Sequence, residues 1–178
     1  WTGSTMAQVD LFRPVQPLAD PRAMATQYLA TTQIVQAARH RGFAAEVTRR
    51  GPHVVSTRDD TSVEAMAAVL AGAGTDGLDR SRDAVRYTLR TDPLLARANG
   101  SRADWFLHLA TTGSPQGTDR EAWADGILDA LDGIDEGEVE QALRALRQPA
   151  WLTAGQLAPG AEATALESAV LAGFASAE

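Results

Sequence analysis

The 178-residue chain has no cysteine, no lysine, few aromatic residues and no long apolar run. Without cysteine it can form neither a disulfide framework nor a thiolate metal site. A metal would have to be held by three scattered histidines and by carboxylates, and the sequence predicts no metal and no cofactor. Without an apolar run of about 20 residues there is no candidate membrane span, and the N-terminus lacks a basic region followed by an apolar one. The sequence therefore predicts a soluble, cytoplasmic protein with no membrane among its partners. All 16 basic side chains are Arg, a usage typical of GC-rich bacterial genomes that points to a source and not to a role. Trp1–Thr5, ahead of Met6, read as a remnant of vector sequence.

What is present is ordinary globular material, 44% hydrophobic and 22% charged, enough for one core or for two small subdomains. The charge is uneven. Residues 1–102 carry 13 Arg against 10 acids and residues 103–178 carry 3 Arg against 13, so the halves are +3 and −10. Such asymmetry steers acidic partners to one end of a molecule, although two solvated faces would also produce it.

In chain order, Pro14, Pro17 and Asp20-Pro21 make residues 7–20 an extended surface arm, with Val9, Leu11 and Phe12 against the core. Asp20 is suited to cap a helix that Pro21 opens. Met24, Tyr28, Thr31, Val35 and Ala38 give that helix a buried stripe, widened by Leu29 and Ile34, and Gly42 ends it. Phe43–Thr48 and His53–Arg58 alternate as strands around Arg49-Arg50-Gly51-Pro52, with Gly51 where the turn favours positive φ and Pro52 barring a central strand. Phe43, Ala45 and Val47 fall on the face of this pair that can be buried. Thr61 and Glu64 have capping-box spacing for a helix that Gly72 and Gly74 stop. From 82 to 90 two periods compete: Val85, Tyr87 and Leu89 alternate, while Arg82, Arg86 and Arg90 recur as on a helix, which is the favoured reading. Short helices follow Pro93 and Ser101, and Thr111–Thr118 is the clearest linker. Beyond it, capping pairs Thr118/Glu121, Asp135/Glu138 and Thr153/Gln156 announce two helices and a very short one, before a last helix over 162–172. The fold class is mainly α with one β-hairpin (α+β). It divides into a helix-hairpin-helix part over 7–110 and a helical part over 118–178, alternatively one compact domain.

Two stretches match known motifs. Gly72-Ala-Gly74-Thr-Asp-Gly77 spells the dinucleotide fingerprint, but it follows a helix where that motif needs a strand, so it reads as a helix-ending loop. The helix Glu138–Arg147, then Trp151–Ala158, then Leu166, Val170, Leu171, Gly173 and Phe174 resemble a winged-helix or helix-turn-helix core over Glu136–Phe174. The resemblance implies a docking or dimerising winged helix. It does not imply a DNA reader, because residues 162–172 hold no Arg, Asn or Gln and carry Glu162 and Glu167.

The chemistry-bearing cluster is the basic stretch between 33 and 58, with five Arg against the single acid Glu46, a net +4. Arg39, Arg41, Arg49, Arg50, His53 and Arg58 form the candidate contact surface for an anionic partner, because guanidinium forks suit carboxylates and phosphates alike. The bland alternative is a solvated hairpin paired with Asp59 and Asp60. No nucleophile motif accompanies His40, His53 or His108, and the catalytic residues, if any, are unknown. A site of His53 with Asp59 and Asp60 competes with their simpler role as charges at a helix N-terminus. The function predicted is a non-enzymatic regulatory or adaptor domain that binds a macromolecule, with self-association as a homodimer compatible. Its alternatives are a nucleic-acid-binding protein using the Arg hairpin and a small enzyme with an unrecognised site.

Overall fold

The computed structural model describes residues 8–13, 18–48, 51–56, 60–91, 120–147, 152–156 and 163–175. The described chain is mostly helical, and it clusters into two compact units. Trp1–Pro14, Ile34–Gly74 and Leu143–Glu178 form the first; Val15–Gln33 and Thr75–Ala142 form the second. The linker at 111–118 lies outside the described residues, as do the short helices after Pro93 and Ser101.

The first unit is built on four strands: β1 (Gln8–Phe12), β2 (Ala44–Thr48), β3 (Gly51–Ser56) and β4 (Leu152–Gln156). They form one antiparallel sheet in the order β2-β3-β1-β4. The β content therefore exceeds the one hairpin that the sequence predicts. The supposed arm contains an inner strand, β1, whose Leu11 is fully buried and stands opposite Val54 on one side and Thr153 on the other. The strand ends at Phe12, ahead of Pro14 in the sequence. Leu152–Gln156 is a strand and not the very short helix suggested by the Thr153/Gln156 spacing. Partners on both sides of β1 come from distant parts of the chain, so no local pattern announces them.

Pro52 also behaves differently from its sequence reading. It lies in an inner strand, opposite Val47 of β2, and on the other side the pairing of β3 with β1 stops at His53–Phe12. Its missing N–H thus falls where no ladder bond is needed. Gly51 already belongs to β3, opposite Thr48, which leaves Arg49 and Arg50 as the connecting pair. Val47 is 38% exposed and is not a core residue.

Two helices of this unit, α2 (Asp60–Ala71) and α6 (Ala163–Ala175), pack along each other. Gly173 makes the approach close: a Cβ there would run into Glu64 O and stand 2.7 Å from Ala67 Cβ and 3.1 Å from Ala68 N. Met66, Ala67, Leu70 and Val170 are buried in the same unit.

The second unit takes the first part of α1 (Pro21–His40), α3 (Leu78–Thr91), α4 (Arg120–Ala130), a 3-10 turn (Leu131–Gly133) and most of α5 (Glu136–Arg147). Asp20 caps α1 by accepting from Ala23 N at 2.9 Å, as its position before Pro21 predicts. Met24, Ala25, Leu29 and Ala30 are buried, and Tyr28 is half-buried. Asp135 and Glu138 form a reciprocal capping box on α5, with N–H to carboxylate distances of 2.9 and 3.0 Å. Residues 82–90 are helical. A strand would present Val85 and Tyr87 on one face, yet Val85 is 5% exposed and Tyr87 is 70% exposed. Trp123 is buried and donates its Nε1 to Leu18 O at 2.9 Å, which satisfies the indole N–H. Gly126 lets α4 approach Pro21, whose ring carbons would lie 3.0 Å from an added Cβ.

Leu29 has no exposed surface, so Leu29→Ala should lower stability by about 2–5 kcal/mol, read from the urea midpoint. An unchanged midpoint would contradict the burial of this helix face. Gly173→Ala should cost about 1–3 kcal/mol by overpacking the α2–α6 contact, and the same titration measures it.

Candidate functional site

The basic stretch begins where α1 stops. Arg41 N and Phe43 N both donate to Ala38 O at 3.1 Å, Gly42 N donates to Arg39 O at 2.9 Å, and Gly42 takes φ +84°. That left-handed residue reverses the chain into β2, so Gly42 does stop the helix. Arg39, His40 and Arg41 are exposed at this end, where cations are favoured by the helix dipole.

Of the six candidate contact residues, the structure describes Arg39 and Arg41 fully and His53 through its backbone; Arg49, Arg50 and Arg58 lie outside the described residues. Arg39 Nε donates to the carbonyl of Ala45 in β2 at 2.7 Å, so one fork of the cluster already holds the helix end to the strand. His53 stands in β3 opposite Glu46 on β2 and opposite Phe12 on β1. Asp59, which would join His53 in a carboxylate–imidazole site, lies outside the described residues. Among the described residues no three His, Asp or Glu side chains converge as metal ligands. The Gly72–Gly77 loop follows the end of α2, where Gly72 N donates to Ala68 O at 2.9 Å, and leads into α3 with Gly77 at φ +74° and Leu78 N donating to Thr75 O at 3.1 Å.

Most other described arginines serve the backbone, a role that sequence reasoning missed. In the first unit Arg13, after β1, donates to Ala145 O of α5 at 3.2 Å, and Arg147 donates to Ala73 O beyond α2. Burial pushes the Arg13 pKa down, and its Nε is buried without a partner among the described residues. In the second unit Arg82 reaches Leu131 O at 3.2 Å and Ile134 O at 2.6 Å, and Arg86 pairs with Asp132 at 2.6 Å and Asp83 at 3.1 Å. The i, i+4 spacing of Arg82 and Arg86 was legible; the 3-10 turn that they grip was not. Arg22 makes the most complete arrangement, with Nε and Nη2 on Glu138 at 2.8 and 2.7 Å and Nη2 also on Gly133 O. Its hydrogen bond to Glu138 raises the Arg22 pKa, and the same bond, followed by the N–H of Asp135, lowers that of Glu138.

Neither a family model nor a curated protein matches the sequence. Solved structures do share the fold. A chain described as a predicted insulinase family protease from Yersinia pestis superposes with a TM-score of 0.56 at 17% identity, over 94% of this chain and 43% of that one. A chain of complex III2 from Candida albicans, Inz-5 bound, gives 0.53 at 13% identity, over 97% of this chain and 42% of that one. This chain thus spans less than half the length of these two structures.

The lowered Glu138 pKa sets a pH dependence. A depressed folded-state pKa contributes stability above the ordinary Glu value of 4.5, and that contribution is lost as pH falls through the folded value. The urea midpoint should therefore drop on acidification below about pH 4.5 more steeply in the parent than in Glu138→Gln, which is the less stable of the two at pH 7. Parallel pH profiles would contradict a folded-state role for the Arg22–Glu138 pair.

Proposed function

We propose that this chain is a non-enzymatic regulatory or adaptor module of α+β class, working in the cytoplasm, that binds a macromolecular partner through the basic end of its first unit. One observation carries the reading: Arg39, His40 and Arg41 are exposed at the end of α1, beside an edge strand and within the same short stretch of sequence as Arg49 and Arg50, in a chain that is otherwise acidic. Guanidinium groups so placed favour an anionic surface by charge and by forked hydrogen bonding. The engagement of Arg13, Arg22, Arg82 and Arg147 by backbone carbonyls supports the choice of surface, since those cations are committed to structure.

The test replaces Arg49 and Arg50 together by Ala. Stability should change by no more than about half a kcal/mol, as is usual for replacements away from caps, cores and buried networks. Partner capture from the source cell should fall, with circular dichroism unaltered. A protein partner would show slower association with the variant. A nucleic acid would reveal itself by a steep salt dependence in a mobility-shift assay, made shallower by the double replacement. Equal capture by parent and variant would remove the basic end from the account.

A further inference from the structure

Pro52 fixes the phase of the β2–β3 ladder. It has no N–H, so the Val47–Pro52 pair cannot exchange two backbone bonds. Antiparallel pairs alternate, so Glu46–His53 and Ala44–Val55 are the exchanging pairs, while the backbone groups of Ala45 and Val47 turn away from β3. Since β2 is the outermost strand, they turn to the open side of the sheet. Arg39 gives independent support for this phase, because its Nε reaches the Ala45 carbonyl from outside the ladder. The N–H of Ala45 and both backbone groups of Val47 then face outward, with no partner among the described residues. Val47 itself is 38% exposed.

We infer that this edge, Ala45–Val47, takes an extended acidic peptide by strand addition. The inference rests on the proposed macromolecule-binding reading and names its partner class. Backbone bonds from Ala45 and Val47 would supply the pairing, as in other edge additions. Specificity comes from charge: the exposed Arg39 and Arg41 flank the start of β2, Arg49 and Arg50 follow its end in sequence, and the stretch has five Arg against one Glu, net +4. An incoming strand with carboxylates meets the cations of Arg39 and Arg41 at the start of β2, whereas a basic strand is repelled. Arg39 covers one edge carbonyl in the free protein, a device that keeps an open edge from pairing indiscriminately.

The probe is an acetylated, amidated octapeptide of alternating Glu and Thr, with binding read by fluorescence anisotropy at two ionic strengths. The parent protein should bind it, more weakly at the higher salt. Val47→Pro removes one outward N–H without touching a ladder bond or a charge, and should weaken binding about tenfold or more. The same peptide N-methylated at every residue, which leaves no N–H on either edge, should not bind the unaltered protein, and this arm holds even if the proline variant fails to fold. Arg41→Ala should weaken binding and flatten its salt dependence. Equal binding of the N-methylated peptide would overturn strand addition, and a loss of partner capture on replacing Arg49 and Arg50 would then still uphold the charged surface. No binding of either peptide by the parent overturns the acidic-peptide assignment. A parent that dimerises and becomes monomeric with Val47→Pro, without binding peptide, assigns the edge to a second copy and likewise overturns it.

Discussion

The hydrogen bond from a guanidinium to a backbone carbonyl is the interaction on which this structure most depends. Helix ends, turns and edge strands leave carbonyls without regular partners, and this chain meets them with arginine at one site after another. Arg13 takes Ala145, Arg22 takes Gly133, Arg39 takes Ala45, Arg82 takes Leu131 and Ile134, and Arg147 takes Ala73. A chain without lysine is well equipped for this, because the planar fork presents several donors in fixed directions and one side chain can serve two acceptors. Without cysteine there is no covalent alternative.

The same chemistry limits where function can lie. A cation held by a carbonyl or a carboxylate offers a partner less than one that faces solvent, and the fastened arginines are spread over both units. At the end of α1 the two uses meet. Arg39 fastens the helix to β2 while remaining exposed, and Arg41 beside it is exposed on the reversed chain. The basic end is thus continuous with the β2 edge, where local charge meets backbone groups that have no partner among the described residues.

The sequence made the local features legible and left the distant ones hidden. The Asp20 cap, the stop at Gly42, the Asp135–Glu138 box and the helical spacing of Arg82 and Arg86 are governed by residues within a turn or so of each other, and each is where the pattern places it. The inner strand β1 and the edge strand β4 escaped because their bonds run between segments more than 40 residues apart. Local cues there, prolines in one case and a capping-like spacing in the other, pointed elsewhere. Val47 misled for a related reason: alternation tells which face a side chain shares but not how far the covering helices extend. Of the candidate site, residue types and charge were legible. The phase of the edge was also written in the sequence, in Pro52, but could be read only once the Val47 register was known.

The most direct test of this account is Arg82→Lys, followed by the urea midpoint and by amide hydrogen exchange in the 3-10 turn Leu131–Gly133. Lysine keeps the positive charge, but its single ammonium cannot reproduce a fork that spans Leu131 O and Ile134 O. The account predicts a loss of about 1–3 kcal/mol, close to that of Arg82→Ala, with faster exchange in the turn. A lysine variant as stable and as protected as the parent would show that charge alone, and not the guanidinium–carbonyl bond, holds this turn.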